Sequence, residues 1–291
     1  MHKAGFVTIL GNPNVGKSTL MNNLIGENLS IITNKAQTTR HRILGVLSED
    51  DYQIVFSDTP GVITPHHDLH EAMMNFVQIS LEDADVILYM VDCSLRDLND
   101  SKFLDKVGES NIPILLLINK IDLIKQEDVV GLLDFWTKKV PNATLIPISA
   151  LEKFNTSRII EEILNLLPES PAYFPKDTLT DKSERFIVSE VIREKILERY
   201  KQEIPYSVEV VVESFKNKSK ILLIDAVIYV ERESQKGIML GKNGVAIRSV
   251  GTSARKSLQN FYKKKIFLGL FVKVSKDWRR KKIQLKRFGY K

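Results

Sequence analysis

Short runs of hydrophobic, mostly β-branched residues alternate with stretches of helical spacing over residues 1–170. Such runs predict buried strands. Six are present, at residues 6–10, 43–47, 52–56, 86–91, 114–118 and 144–148. Helical patterns begin near Lys17, His67, Asp100, Gln126 and Thr156. Strands that alternate with helices predict an α/β domain, with a mostly parallel six-stranded sheet and helices on both of its faces.

The pattern changes after residues 171–184, a polar stretch containing prolines that predicts a linker. Helical spacing follows, then two alternating stretches, two helical stretches and a last alternating one. They cover 184–200, 207–215, 221–230, a helix reaching Leu240, 245–262 and 266–274. This α-β-β-α-α-β order predicts a second, α+β domain. We therefore expect domains at 1–170 and 185–291, the second ending in a basic tail.

Charge separates the same two halves. Residues 1–170 carry 14 Lys+Arg against 23 Asp+Glu, net −9, whereas residues 171–291 carry 28 against 13, net +15. This asymmetry indicates a polyanionic partner for the second half and none for the first. A basic surface that is only solvated is the alternative.

Several classes of protein are excluded by composition. Cys93 is the only cysteine, so neither an internal disulfide nor a multi-cysteine zinc site can form. No hydrophobic run approaches the roughly 18 to 20 residues of a membrane span. The first residues lack the pattern of a signal peptide, and we expect a cytoplasmic protein. Nothing in the sequence indicates oligomerisation.

A glycine-rich motif follows the first predicted strand and precedes a helix. Its residues are Gly11, Asn12, Pro13, Asn14, Val15, Gly16, Lys17 and Ser18, which match G-x-x-x-x-G-K-[ST]. In this motif backbone N–H groups surround phosphates, the lysine reaches the outer phosphates and the hydroxyl ligates Mg²⁺. The sequence therefore predicts a binding site for a nucleoside triphosphate.

A second motif predicts which nucleotide base the site prefers. It consists of Asn119, Lys120, Ile121 and Asp122, which follow the fifth strand. A carboxylate at Asp122 can accept the two adjacent N–H donors of guanine, whereas adenine offers no such pair. Ser149 and Ala150, after the last strand, would close the base pocket. The motif favours GTP over ATP.

Two further segments are candidates for nucleotide-dependent switches. Asp58, Thr59, Pro60 and Gly61 follow the third strand, with Asp58 expected to hold Mg²⁺ through water and Gly61 to meet the γ-phosphate. Val62 completes this second switch. The first switch is Gln37, Thr38, Thr39, Arg40 and His41, with Thr39 preferred over Thr38 as a direct Mg²⁺ ligand. Loss of the γ-phosphate would release both segments.

In the second half, Gly241, Lys242, Asn243 and Gly244 form a G-x-x-G turn between two predicted helices. Two glycines let a sugar–phosphate backbone approach closely, and Ile238, Leu240, Val245 and Ile247 could form an apolar groove for unstacked bases, with Arg248 nearby. A glycine turn that merely ends a helix is the alternative. The turn and its surroundings predict RNA binding.

The last residues interleave basic and aromatic side chains. Lys276, Trp278 and Arg279 are the candidates for RNA contact in this tail, which continues through Lys286, Phe288 and Tyr290. Phosphate contacts combined with base stacking would use such a pattern. A tail folded back on its own domain would show the same residues, and the sequence leaves the two interpretations open.

The four nucleotide motifs and their order resemble those of translation-factor-type GTPases, and the α-β-β-α-α-β half with its glycine turn resembles a KH domain of the second topological type. Together the chain resembles the Era family of GTPases over nearly its whole length. The resemblance implies GTP hydrolysis, binding of the 3′ end of small-subunit rRNA by the KH domain, and a role in 30S subunit assembly. It also implies peripheral association with the inner face of the membrane.

Val62 departs from the glutamine that many GTPases place after this glycine to orient water. Slow intrinsic hydrolysis is expected. The resemblance implies help from a K⁺ ion bound beside Asn14. An alternative function is a signalling GTPase whose basic domain binds a protein or membrane, and another is a nucleic-acid-binding module with an inactive GTPase site.

Overall fold

The computed structural model describes residues 2–94 and 101–290, and its described residues form two compact units. The first unit lies within Met1–Ser30, Thr39–His66 and His70–Asp181. The second comprises Ile31–Thr38, His67–Leu69 and Lys182–Lys291. Asp100, where a helical pattern was predicted to begin, and the terminal Lys291 lie outside the described residues.

Six strands of the first unit form one sheet. They are β1 (Lys3–Gly11), β2 (Ile43–Ser48), β3 (Tyr52–Asp58), β4 (Val86–Asp92), β5 (Ile114–Asn119) and β6 (Thr144–Pro147). The order is β2-β3-β1-β4-β5-β6, with β2 antiparallel to β3 and every other pair parallel. Strands β4 and β5 are buried along their whole length, as expected of a parallel sheet covered on both faces. The predicted mostly parallel six-stranded sheet is confirmed.

Helices follow β1, β3, β4, β5 and β6 along the chain. They are α1 (Lys17–Ile25), α2 (Asp68–Glu82), α3 (Ser101–Gly108), α4 (Gln126–Lys139) and α5 (Thr156–Leu166). Because β1, β3, β4 and β5 run in parallel, their carboxyl ends meet at one edge of the sheet. The segments that follow those ends are therefore brought together, and they are the ones that carry the nucleotide motifs.

The second unit is α+β. Its elements are α6 (Glu184–Arg199), α7 (Ile204–Ser207), β7 (Glu209–Asn217), β8 (Ile221–Val230), α8 (Glu233–Leu240), α9 (Val245–Tyr262), β9 (Lys265–Val274) and α10 (Lys282–Arg287). Strand β8 is central, antiparallel to β7 and parallel to β9. Apart from the two short helices α7 and α10, this is the predicted α-β-β-α-α-β order of a type II KH domain.

The core of the second unit lies between the sheet and its helices. Buried side chains of α6, including Val188, Ile192 and Ile196, belong to the same apolar cluster as Val250 and Leu258 of α9. The cluster also contains alternate residues of β8. Since one face of each element is apolar, burial of these faces positions the glycine turn between α8 and α9.

Within the part of the chain that the structure describes, no helix is both long and apolar enough to cross a membrane.

Candidate functional site: a nucleotide pocket and a glycine turn

The loop between β1 and α1 depends on two glycines. Gly11 has φ 140° and Gly16 has φ 105°, values that side chains rarely adopt. A Cβ added at Gly11 would lie 2.2 Å from the Met90 carbonyl oxygen, and one at Gly16 would lie 2.4 Å from Asn119 Nδ2. The loop can therefore pack against β4 and the base motif only if both positions lack a side chain.

Lys17 begins α1 and is buried in this loop. Its Nζ donates to the backbone carbonyls of Gly11, at 3.0 Å, and Asn12, at 2.8 Å. Burial lowers the pKa of Lys17 to about 8, although the nearby Asp58 carboxylate opposes this shift. The ammonium group thus lies inside the loop, where phosphate oxygens are predicted to bind.

The three predicted magnesium ligands lie together. Ser18 Oγ is 2.7 Å from Asp58 Oδ2 and 2.9 Å from Thr39 Oγ1, and Thr39 Oγ1 is 3.4 Å from the same carboxylate oxygen. Hydroxyl and carboxylate oxygens are hard donors of the kind Mg²⁺ takes, so the residues fit this ion. Burial raises the pKa of Asp58, against the opposing effects of Ser18, Lys17 and other neighbours.

The hydroxyl groups of the two candidate threonines of the first switch have different partners. The Thr38 hydroxyl donates to the Lys35 carbonyl at 2.6 Å and lies 2.6 Å from Thr33 Oγ1, whereas the Thr39 hydroxyl lies beside Ser18 and Asp58. This geometry favours Thr39 as the ligand. Elsewhere in the segment, Gln37 has a positive φ of 59°, the Arg40 side chain is buried, and the His41 ring lies 5.5 Å from that of Phe76.

The second switch starts against the phosphate loop. The Thr59 hydroxyl donates to the Ile9 carbonyl at 2.7 Å, and the Val62 N–H donates to the Gly11 carbonyl at 3.1 Å. A Cβ at Gly61 would lie 2.6 Å from the Pro13 nitrogen, so this close approach requires glycine. The neighbouring Pro60 is buried.

The base motif is tied to the phosphate loop through Asn119. Its Nδ2 donates to the Val15 carbonyl at 2.6 Å, and its Oδ1 accepts from the Ala150 N–H at 2.8 Å. Ser149 is buried beside it, while Asp122 is exposed and free to meet a base edge. The structure therefore brings the phosphate loop, the base motif and the last loop together.

Sequence reasoning missed Asp92, the last residue of β4. Its Oδ2 lies 2.6 Å from Lys120 Nζ, and the strand register places Asp92 opposite Asn119. The signal was available, because Asp92 ends a buried strand as Asn119 does. The ion pair links the end of β4 to the base motif that follows β5.

The glycine turn of the second unit is exposed. Gly241 and Gly244 have φ of 70° and 73°, and the side chains of Lys242 and Asn243 face solvent between them. A Cβ at Gly241 would lie 2.7 Å from Ala246 Cβ, whereas at Gly244 nothing lies within 4 Å. Space beside Gly244 is therefore open to a backbone of another molecule.

Solvent-exposed apolar side chains flank this turn. Ile238 is 52% exposed and Val245 is 58% exposed, although both belong to helices whose other faces are buried. Arg248, one turn into α9, is also exposed. An exposed apolar rim beside basic groups suits unstacked bases and a phosphate backbone.

The tail folds back on its own unit, which corrects one predicted contact. Trp278 is fully buried, donates its indole N–H to the Ser207 carbonyl at 2.9 Å and packs edge-on against Phe288. Because its ring is not accessible for stacking on a base, the prediction that Trp278 contacts RNA is wrong. Arg279 pairs with Glu231 on its own unit, while Lys276 is exposed.

Comparison with known proteins agrees with both halves. Residues 6–120 match the family model described as 50S ribosome-binding GTPase, and residues 203–279 match that of the KH domain. Among curated relatives, the GTPase Era of Geotalea daltonii is 43% identical over 289 residues, covering 99% of this chain and 97% of the relative. The GTPase Era of Clostridium kluyveri is 42% identical over the full length of both chains.

Solved structures agree as well. A crystal structure of Era in complex with MgGDPNP and nucleotides 1506–1542 of 16S ribosomal RNA superposes with a TM-score of 0.96, at 39% identity, covering 100% of this chain and 99% of the other. A variant of Aquifex aeolicus Era bound to GDP·AlF4⁻ gives 0.95 at 39% identity, covering 99% of each chain. With a GTPase domain, a type II KH domain and full-length relatives of this kind, the chain belongs to the Era family of GTPases.

Proposed function

We propose that this protein is a GTP-hydrolysing switch that binds the 3′ region of small-subunit (16S) rRNA and acts in assembly and maturation of the 30S subunit. Family membership makes it a GTPase. The observation that carries the RNA half is the exposed Gly241–Gly244 turn with its open apolar rim, in a half of net charge +15. A member of the family 39% identical was solved with such an rRNA segment.

The nucleotide half of the proposal assigns roles to residues. Ser18 and Thr39 hold Mg²⁺ directly and Asp58 holds it through water, because their oxygens converge within 3.4 Å of one another. Bound there, Mg²⁺ would neutralise charge on the phosphates. Lys17 binds the outer phosphates, and Asp122 selects guanine through its exposed carboxylate.

Crosslinking to cellular RNA tests the RNA half. The intact protein, loaded with GDPNP or with GDP, is crosslinked and the sites are mapped on both molecules. We expect enrichment of the 3′ region of small-subunit rRNA and protein sites at Lys242 and neighbouring residues. Lys242→Glu should remove most of the enrichment, whereas Lys138→Glu, an exposed lysine of α4 in the acidic half, should not. Absence of small-subunit rRNA enrichment would refute the proposal.

Potassium is proposed as an activator at Asn14. The residue is exposed in the phosphate loop with a positive φ of 62°. Val62 does not supply a water-orienting side chain, since it is buried. Hydrolysis should be faster in potassium than in sodium at equal ionic strength, and Asn14→Ala should reduce the difference. Equal rates in the two salts would contradict this assignment.

The signalling alternative gives the basic half a protein or membrane partner. Crosslinks that map away from Gly241–Gly244 would favour it, as would co-flotation with anionic vesicles that RNA does not prevent.

We further propose a cytoplasmic location with peripheral contact to the inner face of the membrane. Fractionation that places the protein outside the cytoplasm would contradict this location.

A further inference from the structure

Thr39 is reached by a segment without regular structure. No helix or strand forms between Ile31 and Arg42, so the path of the chain there is set by individual contacts. Ile31–Thr38 packs with the second unit. The position of the Thr39 hydroxyl therefore depends on what holds Thr38, the residue before it.

The Thr38 carbonyl is held by Arg193 of α6. The Arg193 side chain is buried and donates from Nη2 to that carbonyl oxygen. Its guanidinium is oriented by the Glu190 carboxylate one helical turn earlier, through Nε to Oε1 at 2.8 Å and Nη2 to Oε2. Burial lowers the pKa of Arg193, but Glu190 outweighs this effect and the pKa stays raised. Arg193 is thus a charged donor with fixed geometry.

Other contacts hold the same segment on the end of α6. The Lys35 ammonium donates to the carbonyl of Tyr200, the C-cap residue of α6, and the Thr38 hydroxyl donates to the Lys35 carbonyl at 2.6 Å. The Lys35 side chain thus ties the segment to the end of α6, and the bond from the Thr38 hydroxyl holds the main chain at Lys35. Arg193 differs from Lys35 in being fully buried, and its contact lies one peptide from Thr39.

We propose that Arg193, oriented by Glu190, is a positioning residue that sets Thr39 for Mg²⁺ in the triphosphate state. This inference rests on the proposed role of Thr39 as a ligand. Thr39 is needed only while the γ-phosphate is present, so loss of Arg193 should weaken the triphosphate complex and leave the GDP complex unchanged. A residue that only stabilised the fold would affect both complexes alike.

The test replaces the whole ion pair, because removal of one partner would leave a buried unpaired charge and risk unfolding. In Arg193→Met/Glu190→Met, binding of GDPNP and of GDP is measured over a range of Mg²⁺ concentrations. We expect GDPNP affinity to fall about tenfold, the loss of one charged hydrogen bond, with a higher Mg²⁺ requirement. GDP affinity should change less than about twofold. Arg193→Lys, which keeps a charged donor, should restore part of the GDPNP affinity.

A second ion pair of α6 provides a matched control, and a double-mutant cycle with Thr39 tests the coupling. Lys195→Met/Glu198→Met removes an ion pair of the same i, i+3 spacing on α6 that does not contact Thr38, and it should leave both affinities unchanged. Thr39→Ala should lose GDPNP affinity as the pair variant does, and combining them should add no further loss. If Thr39→Ala has no effect, the ligand assignment fails. If Thr39→Ala weakens GDPNP binding and the pair variant does not, or if GDP is weakened equally, Arg193 is not a positioning residue.

Discussion

Val62 follows Gly61, where many GTPases place a polar side chain beside the γ-phosphate. Here its backbone N–H bonds to the phosphate loop, while its side chain is 2% exposed and belongs to a buried cluster with Leu10 and Val77. Sequence alone could say that residue 62 offers no polar group. It could not say that the position faces the core, because alternation is not a guide in an irregular loop.

This placement predicts the effect of Val62→Gln. A glutamine there would bury an amide in an apolar cluster, so we expect a loss of about 1 to 3 kcal/mol in the free energy of unfolding and no gain in hydrolysis rate. Urea unfolding and phosphate release measure the two quantities. The same change at Val130, which is 62% exposed on α4, should alter stability by less than about 0.5 kcal/mol. Faster hydrolysis with unchanged stability would show that residue 62 faces the nucleotide.

At the scale of elements, periodicity located every long strand and helix among the described residues, because each has one consistently apolar face or is buried throughout. Strand β1 begins at Lys3, earlier than its hydrophobic run, since Lys3 and Ala4 still pair with β3. The short helices α7 and α10 were missed. They carry too few residues for a period, and tertiary contacts such as the Trp278 to Ser207 hydrogen bond hold that region.

Gly131 offers a prediction about helix α4. It is exposed within the helix, and nothing lies within 4 Å of an added Cβ. Gly131→Ala should therefore stabilise the first unit by about 0.5 to 1 kcal/mol, because alanine loses less backbone entropy. Urea unfolding followed by Trp136 fluorescence, in a Trp278→Phe background, measures it.

Gly241→Ala is the opposing control, measured by the unfolding of the second unit. Its positive φ of 70° and the 2.7 Å approach to Ala246 should make that variant less stable. Stabilisation by both substitutions, or by neither, would contradict the argument from local geometry.

At the scale of the whole molecule, charge and element order predicted two domains of opposite charge, and motif positions predicted which loops carry the nucleotide site. The grouping of Ile31–Thr38 with the second unit was not predictable. Local patterns report periodicity and turn chemistry, whereas this grouping depends on contacts between residues far apart in the chain, such as that of Thr38 with Arg193. Sequence reasoning therefore predicted the two sites but not the contact of Arg193 with the residue before Thr39.

The division of charge predicts where the salt dependence of RNA binding originates. If the basic half alone contacts phosphates, each contacting lysine contributes about 0.7 to the slope of log affinity against log salt for a single strand. Lys242→Ala, in the exposed turn, should make the negative slope less steep by about that amount. Lys138→Ala, exposed in the acidic half, should leave the slope unchanged. Filter binding of a 16S rRNA 3′ fragment at several salt concentrations gives both slopes. Equal changes for the two variants would place phosphate contacts on both halves, and the net charge of −9 on the first would then not exclude it from RNA.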